Sequence, residues 1–233
     1  MAQGVVYLIP TFLYEDALHT LPAYLTEAIK NCDVFFVENE KTTRRFFKKL
    51  WKEMVIDDYQ WHAIHKAEVA VKAAFIKALN EGKNIGIVSE AGCPGIADPG
   101  QILVQAAQAI GAVVKPLVGP SSILLALMAS GMNGQCFQFH GYLPIDSLER
   151  KKKIKELEAD SQKRKCTQIF IETPYRNNSL IRDILDGCQA ETQLCIAVDI
   201  TAPVESILTK PVKQWKLQVP DVHKRLGIFL LMA

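Results

Sequence analysis

Short apolar runs alternate with amphipathic stretches along the first half of the chain. Continuously apolar runs predict buried strands at 5–9, 34–37, 85–88 and 113–117. Apolar positions at helical spacing predict helices over 66–79 and 102–110, and a further helical face at Leu21, Leu25, Ala28 and Ile29. Because apolar and polar residues do not alternate within these strands, we expect a parallel sheet with helices on both faces.

The pattern changes after residue 117. The segment "VGPSS" (118–122) combines glycine, proline and hydroxyl side chains and predicts a boundary between an N-terminal α/β domain, 1–117, and a C-terminal α/β domain, 118–233. In the second domain we expect helices over 123–128 and 147–165, and strands at 135–142, 167–172, 194–200, 204–208 and 227–232. Several of these strands alternate or follow one another closely, so their sheet should be mixed or antiparallel.

The composition is that of a globular protein with a large core. Of the 233 residues, 49% are apolar and 22% are charged. The six cysteines form no CxxC pair, which argues against a zinc site and a disulfide framework and favours a reducing, cytoplasmic environment. The sequence shows no basic leader and no apolar run near the ~18 residues of a spanning helix, so we expect neither export nor membrane insertion.

Common catalytic motifs are missing from the sequence. It contains no GxGxxG, GxxxxGK[ST] or GxSxG segment. These absences argue against a dinucleotide dehydrogenase, a P-loop nucleotidase and a serine hydrolase, respectively. His62 and His65 form an HxxH pair, but no cysteine or acid lies at the spacing of a third ligand. We interpret the pair as two ordinary histidines near a helix start and predict no metal site.

The formal net charge is only +2, but basic residues cluster in two segments. The first contains Arg44, Arg45, Lys48, Lys49 and Lys52. The second runs from Arg150 to Lys165 and also contains several acids. Each segment is consistent with a solvent-facing helix or with a surface that contacts phosphate groups.

The segment "SEAGCPGIADPG" (89–100) directly follows the apolar run 85–88. Its three glycines permit positive φ or close backbone approach, and its two prolines remove donors and fix φ, so the segment predicts a rigid, non-repetitive turn. One interpretation is a binding turn with a ligand against its backbone. The other is an ordinary strand-to-helix connection, in which Asp98 caps a helix that starts near Pro99.

Two further transitions resemble this one: "GPSS" (119–122), and "IETPYR" (171–176) at the end of another predicted strand. Open α/β sheets bind ligands at the carboxyl ends of their strands. In this order and spacing, the segments at 89–100, 119–122, 139–144 ("FHGYLP") and 172–176 resemble those of the tetrapyrrole methylase family of S-adenosylmethionine-dependent methyltransferases. The most similar branch is ribosomal-RNA small-subunit methyltransferase I, with segments like "SDAGTPxxxDPG", "GPS", "FxGFLP" and "ESPHR".

The resemblance implies a two-domain α/β enzyme, usually a homodimer, that holds S-adenosylmethionine in the cleft between its domains. Carried over by position, the residues expected to bind the cofactor are Glu90, Ala91, Gly92, Pro94, Ser121, Ser122, Ile171, Glu172, Ala197 and Val198. A rigid glycine-rich turn exposes backbone groups and lowers the ordering cost of binding. The sulfonium already activates the methyl group, so the protein must mainly hold donor and acceptor in line.

The sequence departs from this branch in three places. "PTFLYED" (10–16) stands where the branch has a "GTPIGN"-like loop, "AVDITA" (197–202) replaces "ARELTK", and the chain ends at Ala233 without the extension often found there. These differences bear on the acceptor and leave three hypotheses. They are ribose 2′-O-methylation of small-subunit ribosomal RNA, methylation of another acceptor such as a tetrapyrrole, and cofactor binding with little catalysis.

A hydroxyl acceptor would need a base, because it is a poor nucleophile near neutral pH. Glu90 is the candidate, since it follows a buried strand beside the expected methyl donor, although it could equally bind the cofactor or backbone groups. The other carboxylates considered are Asp98, which could cap a helix, Asp16 in the altered loop, and Asp199 in "AVDITA".

Overall fold

The computed structural model describes residues 3–64 and 68–233, with side chains described at all of these except 68–70. The chain divides into two compact units, Met1–Ser121 and Ser122–Ala233. The boundary expected after residue 117 lies slightly before this division. The cleft expected between the domains stays a prediction.

The first unit contains a five-stranded, fully parallel sheet. Its strands are β1 (Val6–Ile9), β2 (Val34–Val37), β3 (Gln60–Ala63), β4 (Ile85–Val88) and β5 (Val114–Pro116), in the order β3-β2-β4-β1-β5. The helices are α1 (Leu25–Lys30), α2 (Glu40–Leu50), α3 (Glu68–Asn80) and α4 (Gln101–Ala109). The prediction of a parallel sheet in an α/β fold is confirmed.

Both faces of this sheet are buried. Phe35 and Phe36 are adjacent in β2 and fully buried, but they point to opposite faces and join different core clusters. Phe35 packs with Phe47 of α2, and Phe36 packs edge-on against Phe75 of α3. Two-sided burial explains why the strands are continuously apolar.

The second unit contains a five-stranded mixed sheet. Its strands are β6 (Phe137–Tyr142), β7 (Thr167–Glu172), β8 (Gln193–Val198), β9 (Ser206–Pro211) and β10 (Gly227–Met232), in the order β6-β7-β10-β8-β9. The β6–β7 pair is parallel and the other pairs are antiparallel, which confirms the predicted mixed sheet. The helices are α5 (Ser122–Ser130), α6 (Ser147–Arg164), α7 (Asn177–Gly187) and α8 (Val212–Leu217).

Of the predicted histidine pair, only His62 lies within the residues that the structure describes. His62 lies in β3, at the edge of the first sheet, with its ring stacked on Phe36 at a centroid distance of 4.7 Å. Burial lowers the pKa of His62, which favours the neutral ring that packs there. His65 lies outside the described residues, as does Lys66 at the expected start of the helix over 66–79.

None of the helices in the described part of the chain combines the length and apolar content that a membrane crossing requires.

Candidate functional site

The loops after β4, β1 and β5 meet at one edge of the first sheet, because these three parallel strands are neighbours. The Thr11 N–H, just after β1, donates to the Gly92 carbonyl at 2.9 Å. The Cys93 thiol donates to the Pro120 carbonyl at 3.5 Å. The turn at 89–100 therefore lies against the segment that leads to Ser121, and the expected cofactor residues of the first unit are brought together.

Glycine is required at position 92 by backbone conformation and by space. Gly92 has φ +71°, and a Cβ there would lie 3.3 Å from both the Pro120 carbonyl oxygen and a methyl group of Leu13. The group that approaches this glycine is therefore protein backbone. Gly95 also has a positive φ, of +77°, but a Cβ there would meet nothing within 4 Å.

The turn leaves backbone donors unused. Gly92 and Pro94 are buried, whereas Ala91 is exposed. The N–H groups of Ala91 and Gly92 have no acceptor among the residues that the structure describes. Buried N–H groups are almost always paired in native proteins. The turn is therefore suited to a ligand with acceptor oxygens, such as the carboxylate or ribose hydroxyls expected of the cofactor.

Glu90 is exposed and held at two points. Its backbone N–H donates to Glu38 Oε2 at 3.0 Å, and its Oε1 accepts from the Thr42 hydroxyl at 3.2 Å. The Thr42 hydroxyl also lies 3.1 Å from the Asn39 carbonyl, so its single proton is shared between two acceptors. The Glu90 carboxylate thus has a neutral partner that it shares with the Asn39 carbonyl, and it has no cation partner in the described part of the chain.

Asp98 does not cap a helix, contrary to one prediction. Helix α4 begins at Gln101, and its N-cap is Gly100, with φ +117° and no side-chain capping bond. Burial, assisted by the charges of Glu38 and Glu90, raises the pKa of Asp98 to about 6.

The strand register of the second unit collects its four expected cofactor residues at one edge. Gly227, at the start of β10, lies opposite both Glu172 and Val198, and Ile228 lies opposite both Ile171 and Ala197. Ala197 and Val198 are buried, whereas Ile171 is half-buried. Residues far apart in sequence therefore converge at the ends of β7 and β8.

The Glu172 carboxylate points into the protein. Its side chain is fully buried, and its Oε1 accepts from the Thr173 N–H at 2.6 Å and from the Arg176 guanidinium. Its Oε2 is buried without a hydrogen-bond partner among the described residues. Glu172 therefore orders the turn at 172–176.

Two of the alternative carboxylates are paired with cations. Asp199 has φ +51°, and its Oδ2 accepts from Arg225 Nε at 2.6 Å. Asp16 is exposed, and its Oδ1 lies 3.7 Å from Lys49 Nζ. Of the four carboxylates considered, Glu90 and Asp98 lie at the carboxyl end of β4 without a cation partner among the described residues.

The basic segments are only partly solvent-facing. In α6, Arg150 is buried and forms an ion pair with Asp183, while Lys151 pairs with Asp186 at 3.4 Å. Arg150 is thus a core residue of the second unit, and neither interpretation of the segment foresaw it. In α2, Arg44 pairs with Glu40 at 2.8 Å and stacks on Trp61.

A pocket of about 170 Å³ was not expected from the sequence. It lies between α2, the altered loop after β1 and the first residues of the turn after β4, and we refer to it as the α2 pocket. Its lining includes Phe12, Glu15, Thr42, Arg45, Lys49 and Glu90. The signal that could have revealed it is the spacing of Thr42, Arg45, Phe46 and Lys49 along one face of a helix.

Comparison with known proteins identifies the family. The family model described as Tetrapyrrole (Corrin/Porphyrin) Methylases matches residues 17–215. The chain belongs to the tetrapyrrole methylase family. It is accordingly a methyltransferase, and the resemblance seen in its sequence motifs is confirmed.

Two relatives match this chain over nearly its full length, and a third matches about three quarters of it. A protein of Vibrio cholerae serotype O1 named ribosomal RNA small subunit methyltransferase I is 31% identical over 98% of this chain and 76% of its own length. The protein of the same name from Escherichia coli O157:H7 is 30% identical over 100% of this chain and 78% of its own. The one from Bacillus subtilis is 36% identical over 74% of this chain and 56% of its own.

Solved structures show the same fold. The methyltransferase CobJ superposes with a TM-score of 0.65 at 14% identity, covering 100% of this chain and 94% of its own. Diphthine synthase superposes with a TM-score of 0.68 at 10% identity, covering 99% and 90% respectively. At these identities the similarity shows the fold of this tetrapyrrole methylase family member. It does not identify the molecule that accepts the methyl group.

Proposed function

We propose that this methyltransferase uses S-adenosylmethionine to methylate ribosomal RNA of the small subunit, at a ribose 2′-hydroxyl. The observation that carries the proposal is the full-length similarity, at 30–31% identity, to two proteins named ribosomal RNA small subunit methyltransferase I. These alignments span the altered loop at 10–16 and the segment 197–202.

The first unit offers groups that fit the cofactor. The N–H groups of Ala91 and Gly92 would donate to its carboxylate or ribose oxygens, and the buried Pro94 keeps the turn rigid. Ser121, the last residue of the first unit, and Ser122, the first residue of the second, would supply hydroxyls after β5. In the second unit, Ile171, Ala197 and Val198 supply apolar surface and backbone at the strand ends, while Glu172 holds its turn in place. When bound, S-adenosylmethionine supplies a methyl group activated by its sulfonium.

Glu90 would accept the proton of the acceptor hydroxyl. Its Oε1 is oriented by Thr42, and its backbone is fixed by Glu38, so the carboxylate is held at the end of β4 beside the glycine turn. Removing the proton as the oxygen attacks the methyl carbon makes the hydroxyl a competent nucleophile. The remaining task of the protein is to hold the acceptor in line with the methyl group.

A transfer assay with three acceptor classes tests this proposal. Purified protein is incubated with methyl-labelled S-adenosylmethionine and, separately, with unmodified small ribosomal subunits, protein-free total RNA and porphyrinoids. We expect label in the RNA of the subunits. Label found only in porphyrinoids would contradict the proposal and show that the acceptor is a small molecule. If the protein binds the cofactor but labels none of the three, it would be a cofactor-binding protein with little catalysis.

A further inference from the structure

One wall of the α2 pocket is a face of helix α2 that carries a hydroxyl, two cations and an aromatic ring. Thr42, Arg45, Phe46 and Lys49 are separated by three, four and seven positions, so they lie on one face of α2. Facing them are Phe12 and Glu15 from the loop after β1, and Ser89 and Glu90 after β4. The altered loop "PTFLYED" is thus a wall of a formed pocket.

The two cations of this wall have different environments. Lys49 Nζ is 3.1 Å from Glu15 Oε1 and 5.7 Å from the centre of the Phe12 ring, so its charge is largely neutralised and it fixes the loop to the helix. Arg45 is exposed, and its guanidinium has no hydrogen bond or ion pair with any residue that the structure describes. The pocket therefore presents one guanidinium that is available to an anion.

The other groups that line the α2 pocket suit a sugar. Phe12 is half-buried and packs edge-to-face on the buried Phe46 with ring centroids 5.2 Å apart, so its ring is held in place as an apolar surface for the C–H face of a sugar. The Thr42 hydroxyl and the Glu90 carboxylate are hydrogen-bonded to each other on the lining and can contact sugar hydroxyls. One pocket thus combines an anion donor, an apolar surface and a proton acceptor.

We propose that the α2 pocket binds one phosphorylated ribose of the acceptor, with Arg45 on the phosphate and the Phe12–Phe46 pair against the sugar. Planar guanidinium groups bind phosphate bidentately, and this geometry gives both affinity and orientation. The assignment deepens the proposed function, on which it rests for the identity of the acceptor. It gives Arg45 and the altered loop a role in positioning the ribose next to Glu90.

The size of the pocket limits what it can hold. Its volume of about 170 Å³ lies below the roughly 300 Å³ at which pockets for drug-sized ligands begin. A pocket of this size favours a small ligand such as a single sugar phosphate. The shared chemistry of ribose phosphate could come from RNA or from a free nucleotide, and the experiment below separates these sources.

Binding measurements on three single variants test the inference. Arg45→Gln removes the free guanidinium. Glu15→Gln removes the nearer of the two carboxylates that pair with Lys49 and leaves Asp16 at 3.7 Å. Lys41→Gln makes the same charge change as Arg45→Gln on the same helix but outside the pocket lining. Affinities are measured by calorimetry for ribose 5-phosphate, for a short single-stranded RNA and for S-adenosylmethionine.

For ribose 5-phosphate and RNA we expect about tenfold weaker binding with Arg45→Gln, tighter binding with Glu15→Gln and no change with Lys41→Gln. Affinity for S-adenosylmethionine should stay unchanged in all three. Equal weakening by Arg45→Gln and Lys41→Gln, or no effect of Arg45→Gln, would overturn the inference. Binding of ribose 5-phosphate alone would assign the pocket to a free nucleotide.

These readouts are independent of turnover. If wild-type protein transfers no methyl group to RNA, but Arg45→Gln still weakens binding of ribose phosphate selectively, the proposed function fails and the pocket assignment stands. If RNA is methylated with the same KM in wild type and Arg45→Gln, and the binding affinities also match, the pocket assignment fails and the proposed function stands.

Discussion

Arg176 donates two hydrogen bonds to one oxygen of Glu172, from Nε at 2.9 Å and from Nη2 at 2.6 Å. The Glu172 side chain is fully buried, while that of Arg176 is 29% exposed. A buried carboxylate is tolerated only when it is paired and hydrogen-bonded. This ion pair therefore fixes the turn that joins β7 to α7, at the edge where the expected cofactor residues of the second unit converge.

Loss of this pair should be costly. Arg176→Met leaves the Glu172 carboxylate buried with a single backbone donor, and we expect the free energy of unfolding to fall by about 3 kcal/mol. Arg164→Met is the matched control, because Arg164 forms an i, i+4 pair with Asp160 whose partners are 53% and 34% exposed. That change should cost at most about 0.5 kcal/mol in urea unfolding. Similar losses in the two variants would show that Glu172 is not held as described.

Gly92 should tolerate substitution far less than Gly95. Gly92→Val puts a β-branched side chain at φ +71° with its Cβ against the Pro120 carbonyl, so we expect a loss of about 3 kcal/mol and weaker cofactor binding. Gly95→Ala meets only the positive-φ penalty, about 1 kcal/mol, because its Cβ has free space. Urea unfolding and titration with S-adenosylmethionine measure both effects. A Gly92→Val protein with wild-type stability would contradict the close approach of the two loops.

Asp98 should make stability depend on pH. Its pKa is raised from 3.8 to about 6, so the folded state binds the proton more tightly than the unfolded chain. The contribution of Asp98 to stability is then fully present below about pH 4, declines as the pH rises through about 6, and is lost above that value.

Asp98→Asn should remove this decline. Because Asp98 is only half-buried, solvent screens part of the penalty, and we expect the variant to be about 1 kcal/mol more stable at pH 7 and equal to wild type near pH 3.5. Thermal unfolding across this range measures the difference. A decline of unchanged size in the variant would mean that another group causes it.

Glu90→Gln should separate proton transfer from cofactor binding. The amide keeps the size of the side chain and can still bond with Thr42, but it cannot take up a proton. We expect turnover to fall by about 10²-fold or more, with nearly unchanged affinity for S-adenosylmethionine. Parallel loss of affinity and turnover would make Glu90 a cofactor ligand, and no loss of either would remove it from the site.

The buried strands and the family motifs could be predicted from sequence because their signals are local. The strands β2, β4, β7 and β10 have the expected bounds, since each is built around a short apolar run. The edge strand β3 was not predicted, because its residues are half-exposed or exposed and include Gln60 and His62. Helix α7 was also missed, since Arg176 at its N-cap makes no side-chain capping bond.

The contacts of the site depend on register and packing, which single segments do not encode. The pairing of Gly227 with both Glu172 and Val198 follows from strand order. The inward direction of the Glu172 carboxylate follows from its pair with Arg176, four residues later. The α2 pocket forms where a helix, a loop and a turn that are about 30 to 75 positions apart in sequence meet. Helical spacing can group only the residues of the helix, because the meeting with the loop and the turn depends on packing.

The central claim, methyl transfer to a ribose 2′-oxygen of RNA, is tested most directly by alkaline hydrolysis of the product. Alkali cleaves RNA through attack of the 2′-oxygen on the adjacent phosphate, so a methyl group on that oxygen protects the linkage. After incubation with labelled S-adenosylmethionine and small ribosomal subunits, we predict that the label is recovered in an alkali-resistant dinucleotide. Label recovered only in mononucleotides would place the methyl group on a base and contradict the account.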